Sequence, residues 1–143
     1  MTETELQNFD KVISIVRSYE ANELHKNEAI NLIVGIAACS HEDVYIDDYW
    51  RSVDIEDFVQ GLVVEQSNPN ELSDEDVKSI ISEIRDTEDL RRMDYLISKH
   101  SLAIELRYKK NSGVLGDRLF HSDDTAEEIV EWLLSDEDAP IIL

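Results

Sequence analysis

Basic residues, glycine, proline and cysteine are all scarce in this chain of 143 residues. The single cysteine, Cys39, excludes an intramolecular disulfide. Four glycines and two prolines are too few turn formers for an all-β fold of many short strands, so helices are expected. No apolar run reaches the roughly 20 residues of a membrane-spanning helix. The opening MTETELQNFD has neither a basic start nor an apolar core, so no secretory signal is read there and a cytoplasmic location is expected. Lysine and arginine together number 13 against 33 aspartates and glutamates, a formal charge of -20. Such a surface repels phosphate backbones and anionic membranes, which argues against direct contact with nucleic acid or lipid. Self-repulsion at that charge costs stability, and solubility would need far less. The acid is therefore expected to attract a basic partner.

What is present points to helices. Leu6, Phe9, Ile13 and Val16 recur at steps of three and four, which predicts a helix over 3–20. Residues 27–39, NEAINLIVGIAAC, are apolar nearly all round and predict a helix at the centre of the domain. Tyr45, Ile46, Tyr49 and Trp50 fit a short helix, and Ile55, Phe58, Val59, Leu62 and Val63 line another that begins at Asp54. After the loop EQSNPNELS, Ser73 precedes Asp74, Glu75 and Asp76 as a helix cap followed by acids in the first turn. Val77, Ile80, Ile81 and Ile84 form that helix's inner face. Thr87 is read as the cap of the next, with Leu90, Met93, Leu96 and Ile97 inside. SLAIELRYKK, 101–110, fits a helix capped by Ser101 and stopped at Asn111-Ser112-Gly113, or a strand paired with 114–120. Its helical surroundings favour the helix. Thr125 and Glu128 form a capping box before Ile129, Val130, Leu133 and Leu134. The expected fold is mainly α: one acidic helical bundle over 1–143, with a β-hairpin near 101–120 as the alternative.

Charge is uneven along this pattern. Residues 1–76 hold 18 acids and 4 bases, net -14; residues 77–118 hold 7 and 9, net +2; residues 119–143 hold 8 and none, net -8. The ends should meet a cationic partner, while Arg91, Arg92, Lys109 and Lys110 are placed to pair internally. Acids and aromatics gather together in HEDVYIDDYWRSVDIEDF, 41–58, with seven acids, four aromatics and Arg51 as its only base. Aromatic anchors ringed by acids suit a protein interface, where the acids steer a cationic partner and the aromatics hold it. Tyr45 and Tyr49 are read equally as anchors or as core, and Glu42, Asp43, Asp47 and Asp48 as the field around them. Trp50 and Phe58 are read as core.

Catalytic and metal signatures are missing. The four histidines lie far apart, with no HExxH or CxxC motif. No acidic run follows the EF-hand loop, and Asp43, Asp47 and Asp48 are read as a solvated face. Cys39 ends an apolar helix and is read as an inert thiol. Glycines around 112–116 are too sparse for a phosphate loop. No enzyme activity, cofactor or metal is expected.

Near the C-terminus, SGVLGDRLFHSDDTAEEIVEWL, 112–133, resembles a segment of the colicin-type nuclease immunity proteins. The resemblance is carried by Ser112, Gly113, Asp117, Leu119, Phe120, Asp123, Asp124, Thr125, Glu128, Ile129, Val130 and Trp132. In size and charge the chain is also similar to immunity proteins of contact-dependent growth inhibition systems. Those bacterial proteins are small, acidic, typically cytosolic inhibitors of basic toxin domains. The resemblance implies that Asp117, Phe120, His121, Asp123 and Asp124 lie on a contact surface. Phe120-His121 stands where the family has a tyrosine pair, and no proline follows it. The function expected from charge and resemblance together is neutralisation of a basic toxin domain, such as a nuclease, by steric and electrostatic occlusion. The alternatives are an acidic nucleic-acid mimic that blocks a DNA-binding protein, or a regulatory adaptor.

Overall fold

The computed structural model describes residues 1–136, in which seven α-helices and three short 3₁₀ turns follow one another without a strand. The helices are α1 (Glu3–Glu20), α2 (Lys26–Ala37), α3 (Ile55–Val63), α4 (Asp74–Asp86), α5 (Leu90–Arg107), α6 (Val114–His121) and α7 (Ala126–Leu134). The fold is mainly α, as the apolar spacings predict. Composition points to one domain; the internal contacts gather into two compact units, Met1–Glu65 and Gln66–Leu143. No helix among the described residues is long and apolar enough to cross a membrane.

In the first unit α1 packs against α2 and α3. The Thr2 hydroxyl accepts from the Glu5 amide, and the Glu5 carboxylate accepts from the Thr2 amide, so a capping box starts α1. The other oxygen of Glu5 accepts from the Glu65 amide at 2.8 Å, which draws the fully buried carboxylate inward. The inner stripe therefore runs Glu5, Phe9, Val12, Val16, and Leu6, expected inside, is about half exposed. Helix α1 ends in a Schellman motif, with Asn22 at φ 60 and the amides of Asn22 and Glu23 bonded to the carbonyls of Tyr19 and Ser18. The central position expected for α2 is not realised. It buries Ala29 and Ile33 and exposes Leu32, because a unit of this size has too few elements to cover every face of an apolar helix.

In the second unit α4 packs against α5 and α7, and α5 against α6. Ser73 caps α4 with Asp76 as its reciprocal partner, and Thr125 caps α7 with Glu128. The cap of α5 is Asp89, not Thr87: its carboxylate accepts from the Arg91 and Arg92 amides, while Thr87 closes α4. Leu90, just after that cap, is exposed. Residues 101–107 continue α5 without a break, which excludes both the strand and a cap at Ser101. No glycine or proline interrupts residues 90–107, so the helix runs on until Lys109 turns into the left-handed region at φ 55. The Lys109 and Lys110 amides then bond the Leu106 and Glu105 carbonyls, a second Schellman motif. Leu102 and Leu106 are a helical pair, both exposed, with Ala103 and Ile104 inside. Arg92 pairs with Glu83 at 2.7 Å, as the mid-chain bases suggest.

Candidate functional site

Between α2 and α3 the chain makes two 3₁₀ turns, His41–Asp43 and Tyr49–Arg51. With three residues per turn, side chains three apart eclipse one another. Ile46, in the turn between them, and Tyr49, at the start of the second, are buried at 2% and 4% exposure, and Trp50 is outside at 64%. Trp50 is not core, against the sequence reading. The buried residues of the stretch are Val44, Ile46, Tyr49 and Phe58, a set that follows no single period, so spacing alone does not place Trp50 outside.

Tyr49 stacks nearly parallel on Phe58, with ring centroids 4.5 Å apart, and donates its hydroxyl to Glu20 at 2.9 Å. Burial, then the Glu20 carboxylate, pushes its pKa up to about 12. Of the two readings left open for Tyr49, this position gives the core one. Tyr45 leans on the same Phe58 ring at 5.1 Å and is half exposed. One hollow is lined by Asp43, Tyr45, Val53, Asp57 and Phe58, and another by Glu20, Trp50, Arg51, Val53, Asp54 and Asp57. The structure thus leaves two aromatics exposed, one at each of two neighbouring hollows that also hold acids.

The acids divide into two kinds. Glu42, Asp43 and Asp48 are exposed. Asp43 accepts from the Ser40 amide, and Asp48 lies 3.8 Å from the Arg51 guanidinium. Asp47 is engaged throughout. Its carboxylate pairs with Lys26 at 2.7 Å and accepts from the Tyr19 hydroxyl, and its carbonyl accepts from the Trp50 indole N–H at 2.8 Å. The Lys26 and Tyr19 hydrogen bonds hold its carboxyl below the usual range. Asp47 therefore ties the turn to the end of α1 and the start of α2, and orients Trp50. Cys39, at the edge of the first hollow, is half buried, and burial raises its thiol pKa, which weakens it as a nucleophile.

The second group of expected contact residues lies in the other unit. Asp117 and His121 are one turn apart on α6 and line a small hollow with Val114, Arg118 and Ser122. Phe120 is 55% exposed, and Asp123 is exposed in the following turn. Asp124 instead pairs with Arg118 at 3.1 Å, and the Arg118 guanidinium lies 4.7 Å from the centre of the buried Trp132 ring. Arg85 donates to the carbonyls of Leu119, Arg118 and Ser122 and so fixes the end of α6. This turn is held by an internal cation network. Among the described residues no cluster of three or more ligating side chains gathers for a metal. No family model, curated protein or solved structure matches the chain.

Proposed function

We propose that this chain is an immunity-type inhibitor that binds a basic toxin domain, a nuclease being the expected class, and blocks it by occlusion. One observation carries the reading: Tyr45 and Trp50 stand exposed at two hollows that share Val53 and Asp57, within a stretch of seven acids and one base. Exposed large aromatics beside charge are characteristic anchors of protein interfaces, and the surrounding acids supply long-range attraction to a cationic surface. The likeness of residues 112–133 to colicin-type immunity proteins supports the same class, with Phe120, His121, Asp117 and Asp123 as a second accessible patch. No step of chemistry is needed; the inhibitor acts by filling space and neutralising charge.

The reading is tested by expressing the reading frame beside this gene with and without the chain. Growth arrest relieved by the chain, together with a purified complex that weakens as salt rises, is the expected result. A neighbour that is harmless, or a toxin that the chain leaves active, removes the proposal. Inhibition that survives Tyr45→Ala plus Trp50→Ala and is lost only on neutralising acids would favour the nucleic-acid mimic instead.

A further inference from the structure

The exposed Trp50 ring is not bare. The Arg51 guanidinium lies 5.3 Å from its centroid, and the Arg51 Nε lies 3.8 Å from the Asp48 carboxylate. The indole is held along one edge by its N–H bond to the Asp47 carbonyl. An aromatic face, a fixed orientation and an adjacent carboxylate are what a guanidinium needs, since it stacks flat while its N–H groups fork to an acid. An ammonium is a point charge and lacks the planar fork that lets a guanidinium stack and pair bidentately. The same hollow is edged by Glu20, Asp54 and Asp57, in a unit with 14 acids and 4 bases. Arg51 itself is strongly exposed, so little packing holds it there.

We infer that Trp50 and Asp48 form an arginine-selective subsite, which Arg51 occupies in the free chain and an arginine of a basic protein partner takes over on binding. The inference rests on the proposed inhibitor function for its biological partner, but not for its chemistry. Arg51 acts as an internal competitor: it holds the position beside the indole in the free protein and lowers affinity for cationic segments that cannot displace it.

The test is calorimetric titration of the full chain with an arginine-rich peptide and a lysine-rich peptide of equal length and charge. The arginine peptide should bind about two- to fivefold more tightly, the span of an exposed cation–π contact. Arg51→Gln should strengthen arginine-peptide binding by a similar factor. Lys11→Gln, an equal change of net charge at an exposed position on α1, should do so by clearly less. Trp50→Ala, with its fold checked by circular dichroism, should erase the preference for arginine. Equal effects of Arg51→Gln and Lys11→Gln, an arginine preference that survives Trp50→Ala, or binding of neither peptide overturns the inference. Arginine preference in a chain that neutralises no toxin defeats the inhibitor reading alone. Neutralisation without any such preference defeats the subsite alone.

Discussion

The two units carry the same net charge of -10, with 14 acids and 4 bases in the first and 19 and 9 in the second, yet they use their charge and their single tryptophans in opposite ways. Trp132 is buried at 4% exposure, with Lys110 5.0 Å and Arg118 4.7 Å from its ring centre. Trp50 is 64% exposed and has one cation beside it, itself exposed. The second unit spends its bases internally: Arg85 on carbonyls at the end of α6, Arg92 on Glu83, Arg107 on Asp74, Arg118 on Asp124. In the first, Lys26 is absorbed by Asp47, and acids such as Glu42 and Asp48 stay at the surface. Equal net charge therefore does not mean equal availability. The first unit carries the less compensated acidic field, with Tyr45 and Trp50 exposed inside it.

The contrast breaks most sharply at the tryptophans. Trp132→Ala should cost about 3–5 kcal/mol in urea unfolding, as large-to-small core changes do. Trp50→Ala should cost about 1 kcal/mol or less, since it loses one exposed hydrogen bond and little packing. Comparable losses would show that the two rings do not differ in role.

Next comes pH. The folded pKa of Tyr49 is raised, so its stabilising contribution is complete below pH 10 and falls away as pH rises through about 12. That loss should be on the order of 2 kcal/mol. Ultraviolet titration of phenolate should find a tyrosine that ionises near 12 and is missing in Tyr49→Phe. If the two proteins titrate alike, the Glu20 bond does not hold in solution.

Charge reversal sharpens the comparison of acids. Asp48→Lys should leave stability within about 0.5 kcal/mol and slow association with a basic partner at low salt. Asp124→Lys, which sets a like charge beside Arg118, should instead destabilise by roughly 1 kcal/mol and alter association less. Stopped-flow kinetics paired with melting curves separates the two, and a reversed ranking would move the contact surface to the second unit.

The smallest effect lies at the helix ends. Both units close an 18-residue helix with a Schellman motif, on Asn22 in the first and Lys109 in the second. Lysine tolerates the left-handed region less well than asparagine does. Lys109→Gly should therefore raise stability by up to about 1 kcal/mol, and Asn22→Gly by less. Equal gains in thermal unfolding would show that the two residues are strained alike, and no gain at Lys109 that it is not strained.

By itself the sequence determined the helical class and most helix starts, because these depend on local chemistry. Ser73 with Asp76 and Thr125 with Glu128 are caps formed within four residues, and the apolar stripes of α3 and α4 lie within one turn of themselves. It also determined the charge, and with it the expectation of a basic partner. Tertiary structure decided which apolar residues are spared burial. Leu6 is turned out because Glu5 answers an amide 60 positions away, and α2 is half exposed because too few elements surround it. The candidate site was legible only in part for the same reason. Its location in 41–58 and its acids could be read from composition. That Tyr49 is core, that Trp50 is outside and that Asp47 is a tether depended on Phe58, Glu20, Tyr19 and Lys26 arriving from other elements. Local periodicity cannot carry that information, since burial is settled by what comes to lie opposite each face.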